Sequence, residues 1–554
     1  MPDYSILIGG AAGQGSRKAG LLIAKLLNQF GYRIFIYDDY QSLIKGGHNF
    51  SKIRVSDKEV LSHRTKIDFL LAINKDTIQR HKHNLEEKGV LIYNSDEIAL
   101  QEGVGIPIKK ITKEEGGLPI MENVALVAGF AKVLGMDWET TEKVLKKEFK
   151  KKTEINLRIA KRAWEETPTL TKLKRINQKP VPLLTGNEAI ALGAVKAGLD
   201  LYIAYPMTPS TSILHYLAAF KKEFNIAVSQ LENEVGIINA AIGAAYAGAR
   251  TMVGTSGGGF ALMTEGLSLA AQSETPIVIV ESQRAAPATG VPTYTAQADL
   301  LFVLGAGHGD FVRFVIAPGD ANEAFYWTGV CLNLSWKYQT PSILLVDKEV
   351  SESTFSFDPA LLDKIKPEPS LLWKGKEDYK RYKITEDGIS PLGFPGEKGV
   401  VVKGTSYEHD EFGITVEENE EKIKAMQDKR LRKFKKMKEE IEKLEAVKVY
   451  GNKNSDKAII VWGSTKGPAK EVAEKLGIKM IQPIVIQPWP ERQMKEALEG
   501  VKKLIVIETN ALGQMEKVLN CYGIKPQGRI LKYTGRPFVP EEIEEQVTPM
   551  FSTS

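Results

Sequence analysis

A short apolar run, a glycine-rich turn and a helical pattern follow one another repeatedly along this chain, and this succession limits its fold more than any other feature. The first instance passes from an apolar run at 4–8 through glycines at 9–15 into a helical pattern at about 16–30. Others begin at 201–204 and 458–462. Strands that alternate with helices in this way form parallel sheets covered by helices. The sequence therefore predicts an α/β protein with parallel sheets.

The chain has 554 residues, which exceeds the size at which a single hydrophobic core keeps growing. Three α/β blocks are predicted, at 1–173, 182–356 and 457–554. Residues 172–181 contain Lys and Pro without apolar periodicity and are interpreted as a linker. Residues 357–456 are interpreted as a second linker that ends in a charged amphipathic helix, whose charges form its solvated face.

Composition excludes several classes of function. Lys and Arg number 74 against 69 Asp and Glu, and no basic stripe with aromatic residues is present, so nucleic acid is not expected as a partner. No run approaches the roughly 20 apolar residues that cross a bilayer, and the chain enters a strand pattern directly after Met1. A cytoplasmic protein without membrane contact is predicted. The two cysteines, Cys331 and Cys521, lack CxxC spacing, so we predict no metal ligands or iron–sulfur cluster in this chain.

Glycines at 9, 10, 13 and 15 form a turn between the first strand and the first helix. Backbone N–H groups at a helix N-terminus can bind a phosphate, and Asp38 and Asp39 end the next strand, where a dinucleotide's ribose would be bound. The spacing is not GxGxxG, however. Dinucleotide binding and a tight β–α turn without a nucleotide both remain open. His48, in KGGH at 45–48, is interpreted as structural.

The segment YPMTPST at 205–211 follows a strand directly. Its prolines stiffen the loop and present hydroxyl groups, including that of Thr208, at the carboxyl end of the strand, where open α/β sheets bind ligands. The alternative is that Ser210 or Thr211 only caps the next helix. Asn187 is predicted to cap the first helix of this block.

Two further segments of the same block carry polar groups. LENEVG at 231–236 places Glu232 and Glu234 at the start of an apolar helix, where a carboxylate either serves a ligand or complements the helix dipole. TSGGGF at 255–260 begins with Thr255 and Ser256 and forms a backbone nest suited to an anion or to a closely approaching ring.

Arg284 ends the next strand and precedes AAPATGVPT at 285–293. An arginine in this position can hold a substrate carboxylate through two hydrogen bonds, with Thr293 as a hydroxyl partner. The alternative is an ion pair with Glu281 or Glu274.

Taken together, YPMTPST, LENEVG, TSGGGFALMTEG and QRAAPATGVPT closely resemble the 2-oxoacid:ferredoxin (acceptor) oxidoreductase family. The resemblance is to the alpha subunit with a gamma domain fused in front, and it covers essentially the whole chain. GGAAGQGS and IKGGH are similar to the gamma domain, EHDE at 408–411 to a family linker, and VIETN at 506–510 with Gln514 to the last alpha domain. The resemblance implies three α/β domains: a Rossmann-like gamma domain, a pyrimidine-type thiamine-diphosphate-binding domain and a transketolase C-terminal-like domain.

The resemblance also implies roles for individual residues. It places Glu234, with Glu232 as the alternative, against the aminopyrimidine of thiamine diphosphate, and Thr208 near the reacting substrate. It places Arg284 and Thr293 at the 2-oxoacid. Cofactor-binding residues are Thr255 and Ser256, and candidate coenzyme A-side residues are Gly13, Gly15, Lys45, Gly46 and Gly47.

The family's diphosphate and magnesium half requires a GDG stretch followed by an asparagine, and neither this motif nor the cluster cysteines occur in the sequence. A beta subunit is therefore expected to supply the diphosphate anchor, Mg²⁺ and a [4Fe-4S] cluster, in a dimer of heterodimers. The implied reaction is coenzyme A-dependent oxidative decarboxylation of a 2-oxoacid, pyruvate and 2-oxoglutarate included, with electrons passed to ferredoxin. The alternatives are an NAD-dependent Rossmann oxidoreductase and a non-catalytic scaffold.

Overall fold

The computed structural model describes residues 2–41 and 47–552. The elements of the first third of the chain are β1 (Asp3–Ala11), α1 (Ser16–Gln29), β2 (Arg33–Asp39), β3 (His48–Ser56), β4 (Ile67–Ala72), α2 (Lys75–His81), β5 (Leu85–Asn94), β6 (Val104–Ile106), α3 (Ile108–Glu114), α4 (Glu122–Val133), α5 (Trp138–Glu148), α6 (Thr153–Glu166) and β7 (Leu183–Thr185).

The elements of the central part are α7 (Gly186–Lys196), β8 (Leu201–Ala204), α8 (Thr211–Ala219), β9 (Ala227–Gln230), α9 (Glu234–Tyr246), β10 (Thr251–Thr255), α10 (Gly257–Gln272), β11 (Ile277–Gln283), α11 (Leu300–Gly305), β12 (Phe314–Ile316), α12 (Ala321–Tyr338), β13 (Pro341–Asp347), α13 (Lys348–Glu352) and β14 (Thr354–Ser356). Those of the last part are α14 (Glu420–Ile441), β15 (Val447–Gly451), β16 (Lys457–Ile460), α15 (Lys466–Leu476), β17 (Lys479–Pro483), β18 (Val485–Gln487), α16 (Glu491–Leu498), β19 (Lys503–Glu508), α17 (Gln514–Cys521), β20 (Gly528–Leu531) and α18 (Pro540–Ser552).

The first sheet has the strand order β6-β5-β4-β1-β3-β2-β14-β7 and is mixed. Strand β1 is parallel to β4 but antiparallel to β3, and β3 is antiparallel to β2. The prediction of a parallel sheet is therefore wrong for this part of the first sheet. Only residues 40–47 separate β2 from β3, which is too short for the helical crossover that a parallel pair requires.

The second sheet has the order β18-β12-β13-β11-β10-β8-β9, and the third has the order β15-β17-β16-β19-β20. Strands β8 to β13 run parallel, as predicted, whereas β18 joins β12 in the antiparallel direction. In the third sheet only β15 is antiparallel to its neighbour.

Residue contacts divide the chain into two compact units, of which the first comprises Met1–Leu184, Glu352–Pro359 and Val539–Glu542. Strand β14, whose residues 354–356 were predicted to end the second block, pairs with β2 in this unit. Residues 172–181 are not a free linker either. The backbone N–H of Ile176 donates to the carbonyl of Phe30 at 2.8 Å, and the amide of Asn28 donates to the carbonyl of Val181 at 2.7 Å.

The second unit contains both remaining sheets, and these share one hydrophobic core. Ile343 of β13, Trp462 shortly after β16 and Met515 of α17 belong to the same cluster of buried residues, each with 0% exposure. The blocks predicted at 182–356 and 457–554 are thus packed together inside one unit. The finer division into four parts remains a prediction.

Helix α14 corrects the prediction for the charged helix. Lys429, Arg430 and Lys433 are buried. The first and third bind Glu274, and Arg430 binds Glu408 with a guanidinium–carboxylate distance of 2.9 Å. Charges on this helix therefore do not form only a solvated face, because a buried carboxylate offsets the cost of removing two ammonium groups from water.

Candidate active site

Four adjacent parallel strands of the second sheet, β9, β8, β10 and β11, end at the same edge. The last residues of these strands and the residues that follow them carry the polar side chains that the sequence indicated. Carboxyl ends of parallel strands are the usual ligand-binding edge of an open α/β sheet. The fold thus brings together, along one edge, the predicted site residues Thr208, Glu234, Thr255, Ser256 and Arg284.

The loop after β8 is held by Asn187, which does not cap α7 as predicted. Thr185 is the cap, in a capping box with Glu188. This leaves Asn187 inside the helix, where its buried amide donates to the carbonyl of Pro209 and to the hydroxyl of Ser212, each at 2.7 Å. These bonds fix the loop that carries Thr208.

Ser210 was the alternative explanation for the hydroxyls of this loop. Its hydroxyl donates to the carbonyl of Met207 at 2.8 Å and makes no capping hydrogen bond to α8. The loop is therefore held by its own serine, and Thr208 in this loop is half-buried.

Glu234 and Glu232 differ sharply in burial. Glu234 is the first residue of α9 and is 4% exposed. Glu232 is exposed and accepts a hydrogen bond from the amide of Asn233 at 2.7 Å. Asn233 caps α9 by accepting the N–H of Gly236 at 2.9 Å. The helix cap is thus provided by Asn233, which leaves Glu234 available for another role.

The carboxylate of Glu234 lies against Gly259, in the first turn of α10. A Cβ atom at Gly259 would be 2.6 Å from Oε1 of Glu234 and 2.0 Å from Oγ1 of Thr255. Within the described ranges, Oε1 of Glu234 and the hydroxyl of Ser256 are buried without a hydrogen-bond partner. Buried polar atoms are nearly always paired, so these two fit a ligand that offers hydrogen-bonding groups.

Arg284 faces the loop after β8 and donates to the carbonyl of Thr208 at 2.8 Å. The ion pairs considered as alternatives are not formed: Glu274 binds two lysines of α14, and the carboxyl oxygens of Glu281 have no partner among the described residues. Burial raises the pKa of Glu281 well above its ordinary value and so disfavours its charged form. Arg284 is therefore available to an anionic ligand.

Thr293 lies on a segment that folds back beside Arg284. The N–H of Ala285 donates to the carbonyl of Tyr294 at 3.0 Å, and Thr293 is 4% exposed. This hydrogen bond holds the chain next to Arg284 beside the chain next to Thr293.

Asp299 was missed from the sequence although it belongs to this edge. Burial raises its pKa to about 6, and the guanidinium of Arg284 opposes that shift. Its N–H donates to the side chain of Gln283 at 2.9 Å. One sequence signal pointed to this part of the chain: the strand β11 ends in the polar residues Glu281, Ser282 and Gln283. All seven residues of that strand are buried.

In the first unit, Gly13 and Gly15 adopt left-handed backbone angles, with φ of 92° and 79°, and Gly15 directly precedes α1. Gly47 also has a positive φ, of 75°. Of the other candidate coenzyme A-side residues, Lys45 and Gly46 lie outside the described residues.

Two further polar groups of this unit are occupied by neighbours. Asp38 binds the guanidinium of Arg17 at 2.9 Å and the hydroxyl of Ser51 at 2.5 Å. His48 is buried, with its Nε2 2.8 Å from Nε2 of His81, in agreement with its structural interpretation.

The EHDE segment is a turn held by its own side chains. One carboxylate oxygen of Asp410 accepts the N–H groups of Phe412 and Ile414, each at 3.0 Å. In the part of the chain that the structure describes, no group of three or more His, Cys, Asp or Glu side chains is placed to bind a metal ion. The helices in the same ranges are too short or too polar to span a membrane.

Comparison with known proteins extends this picture over the whole chain. Residues 192–429 match the family described as "Pyruvate flavodoxin/ferredoxin oxidoreductase, thiamine diP-bdg", and residues 5–166 match "Pyruvate ferredoxin/flavodoxin oxidoreductase". A 2-oxoacid:ferredoxin oxidoreductase subunit alpha from Sulfolobus sp. is 34% identical, over 98% of this chain and 96% of its own length. This chain belongs to the 2-oxoacid:ferredoxin oxidoreductase alpha-subunit family.

Other relatives of this alpha subunit agree. Subunit alpha of 2-oxoacid:ferredoxin oxidoreductase 2 from Aeropyrum pernix is 32% identical over 100% of this chain and 98% of its own length. A solved 2-oxoglutarate:ferredoxin oxidoreductase from Magnetococcus marinus, with 2-oxoglutarate, coenzyme A and succinyl-CoA bound, is 29% identical. It superimposes with a TM-score of 0.89 over 99% of both chains. The predicted α/β fold class and oxidoreductase family are confirmed.

Proposed function

We propose that this alpha subunit forms one half of an active site that oxidises a 2-oxoacid with coenzyme A to an acyl-CoA and carbon dioxide. The electrons pass to ferredoxin. The observation that carries the proposal is the buried Glu234 carboxylate, whose Oε1 has no partner among the described residues, on the edge that also presents Arg284. Relatives that match this chain over nearly its full length are named as subunits of such enzymes.

Glu234 is proposed to bind the aminopyrimidine ring of thiamine diphosphate. Its burial keeps water from competing for Oε1, and Gly259 lets the carboxylate lie close to α10 because no side chain occupies that space. The hydroxyl of Thr255, which lies against the same Gly259, and the buried hydroxyl of Ser256 are proposed to line the ring. Thiamine diphosphate, when bound, would supply the carbanion chemistry of the reaction, and Glu234 would hold its aminopyrimidine ring.

Arg284, Thr208 and Thr293 are proposed to bind the 2-oxoacid. A guanidinium offers two parallel N–H groups to a carboxylate, which fixes orientation as well as charge. Because Arg284 already donates to the carbonyl of Thr208, its fork is aligned with the loop whose hydroxyl would meet the substrate.

The remaining half of the site is proposed to come from a beta subunit. The sequence lacks the GDG stretch with asparagine that would hold Mg²⁺ and the diphosphate, and its two cysteines cannot ligate a [4Fe-4S] cluster. We propose a cytoplasmic dimer of heterodimers in which the beta subunit provides these groups. Coenzyme A is proposed to bind near the glycine turn with Gly13, Gly15 and Gly47, together with Lys45 and Gly46.

The decisive experiment is co-expression of this chain with its beta subunit, followed by an anaerobic assay of dye or ferredoxin reduction. The panel contains pyruvate, 2-oxoglutarate and a branched-chain 2-oxoacid, each with and without coenzyme A. We expect 2-oxoacid-dependent reduction by the complex and none by the isolated chain. Absence of activity in a pure, thiamine-loaded complex would refute the proposal and favour the non-catalytic scaffold. Tight NADH binding by the isolated chain would favour the dehydrogenase alternative.

A further inference from the structure

The carboxyl edge of the third sheet, where an open α/β sheet usually binds a ligand, contacts a segment of the second sheet's site. Strands β16, β19 and β20 lie side by side and run parallel, so the residues that follow them meet at one edge. The segment held there is 294–298, which directly follows Thr293 of the proposed substrate site. The ligand edge of one sheet thus holds part of the site of the other.

Gln297 is the centre of these contacts, and it is 0% exposed. Its side-chain NH₂ donates to the carbonyl of Trp462, which follows β16, at 2.6 Å. Its side-chain carbonyl accepts the N–H of Thr509, which follows β19, at 2.9 Å. The backbone N–H of Gln297 donates to the carbonyl of Thr509 at 2.7 Å, and its backbone carbonyl accepts the amide of Asn510 at 3.0 Å. Side chain and backbone of this residue are therefore both bound to the third sheet's edge.

Hydrogen bonds on either side of that residue extend the attachment. The N–H of Thr295 donates to the carbonyl of Gly535, which follows β20, at 3.1 Å. The side chain of Gln514 donates to the carbonyl of Ala298 at 2.5 Å and accepts the N–H of Leu301 at 2.9 Å. Groups locked by several such bonds are held in one position, which is what a substrate-binding side chain requires of the chain that carries it.

The same edge also lies against the residues next to Arg284 and Thr293. A Cβ atom at Gly535 would be 3.2 Å from Cβ of Tyr294 and 3.9 Å from Cβ of Ala285. These two residues directly follow Thr293 and Arg284, respectively. They are joined to each other, because the N–H of Ala285 donates to the carbonyl of Tyr294 at 3.0 Å. The position of Thr293 relative to Arg284 therefore depends on where the third sheet holds the segment.

Building on the proposed function, we propose that Gln297 is a positioning residue for the 2-oxoacid, because it ties the segment after Thr293 to the third sheet and so fixes the Thr293 hydroxyl for the substrate. Gln514 acts in the same way at the other end of the segment. Thr293 would contact the substrate equally before and during the reaction, so loosening the segment weakens substrate binding and leaves the chemical step nearly unchanged. The third sheet thus contributes to substrate affinity without touching the substrate.

The test compares Gln297→Met with Gln482→Met in the complex of this chain with its beta subunit. Met matches the length of Gln but cannot form the amide hydrogen bonds. Gln482 is the matched control because it is also 0% exposed and its amide joins the third sheet to another element, donating to Glu323 of α12 at 2.8 Å. Melting temperatures of the two variants show how far each loss of a buried amide destabilises the fold.

We expect KM for the 2-oxoacid to rise by about 10-fold or more in Gln297→Met, since a small displacement of a binding group costs that much. In the same variant kcat should stay within about 3-fold of wild type. Gln514→Met should raise KM without a matching fall in kcat, and it decides the matter if Gln297→Met does not fold. Gln482→Met should keep the wild-type KM even where its melting temperature falls as far.

The affinity for thiamine diphosphate separates positioning of the substrate from a general weakening of the site. Glu234, which is proposed to hold the aminopyrimidine ring, belongs to α9, whereas Gln297 acts on the segment after Thr293. The Kd of thiamine diphosphate, measured by calorimetry on the complex, should therefore stay within about 2-fold of wild type in Gln297→Met while KM rises.

An unchanged KM in the folded Gln297 and Gln514 variants overturns the inference. An equal rise of KM in Gln482→Met overturns it too, because loosening between the two sheets in general would then explain the effect, and so does a Kd of thiamine diphosphate that rises as much as KM. A wild-type complex without 2-oxoacid-dependent activity refutes the proposed function, and the inference that rests on it falls as well.

Discussion

The ammonium nitrogen of Lys429 lies 2.5 Å from a carboxylate oxygen of Glu274, and both side chains are within 1% of complete burial. Lys433 binds the other oxygen of the same carboxylate, and Arg381 donates to the backbone carbonyl of Glu274 at 2.7 Å. Two lysines of α14 therefore bind one carboxylate that follows the last turn of α10, and Arg381 binds the backbone of the same residue. This cluster attaches α14 to the second sheet's helices.

Glu274→Gln should destabilise the second unit by about 3–5 kcal/mol, because it leaves two lysines buried without a counter-charge. Denaturant unfolding measures this loss. Lys424→Gln is the control, since its pair with Asp428 in the same helix is exposed and contributes about 0.5 kcal/mol or less. Equal losses in the two variants would contradict the prediction.

The same cluster gives a pH dependence. Burial by itself raises the pKa of Glu274, but Lys429, Lys433 and Arg381 outweigh it and hold that pKa far below its ordinary value. A carboxyl group whose pKa is lower in the folded state than in the unfolded state stabilises the fold at pH values above its unfolded pKa. This stabilisation is lost as the pH falls toward the folded-state pKa. The wild type should therefore lose stability under acid conditions more steeply than Glu274→Gln, as melting curves at a series of pH values will show.

Gly259→Ala should impair activity, because the added Cβ would meet Oγ1 of Thr255 at 2.0 Å and Oε1 of Glu234 at 2.6 Å. We expect a loss of stability of about 1–3 kcal/mol and a lower kcat in the complex, since Glu234 must move. Gly258→Ala is the matched control in the isolated chain: a Cβ there meets nothing within 4 Å, and replacing a helical glycine stabilises by about 0.5–1 kcal/mol. A stable Gly259→Ala with wild-type kcat would contradict this packing argument.

Glu234→Gln should lower kcat of the complex by about 10²–10⁴-fold, the range for removing a group that acts in proton transfer. Glu232→Gln should have little effect, because Glu232 is exposed and bound only to its neighbour Asn233. Steady-state dye reduction with saturating 2-oxoacid measures both. If Glu232→Gln is the damaged variant, the assignment of the two carboxylates must be reversed.

The histidine pair of the first unit should make it sensitive to acid. Burial, reinforced by His48, lowers the pKa of His81 to about 3, whereas an unfolded histidine titrates near 6.5. Between those values only the unfolded state binds the proton, so stability falls as pH falls below about 6.5. Between about pH 7.5 and 5, His81→Gln should lose less stability than the wild type does. His215→Gln, at an exposed position, should lose as much stability as the wild type. The prediction is refuted if the melting temperatures of the two variants depend on pH in the same way.

Much of the second sheet was readable from the sequence because its strands are continuous apolar runs buried on both faces. Strand β14 was not, since residues 354–356 pair with β2, more than half the chain away, and no local pattern records such a partner. Strand β3 was missed because polar residues alternate along it and because it directly follows a pair of glycines, a pattern typical of a turn.

For the site, motif residues were found because they follow strand ends, which fixes their position in any parallel sheet. Asn187 was misassigned because two neighbouring residues can both cap, and the hydrogen bonds of the capping box with Glu188 decide between them. Asp299 escaped notice because its carboxylate lies against Gly257, which is distant in sequence.

Strand β18 completes the edge of the second sheet, where Val315 of β12 pairs with Gln487. During synthesis on the ribosome, β12 emerges long before its partner, and its edge can pair with other chains until then. The nascent chain therefore passes through a stage in which most of this sheet exists but its edge is open. Chaperones that hold exposed strands should matter for the yield of this subunit more than for a protein whose neighbouring strands are consecutive.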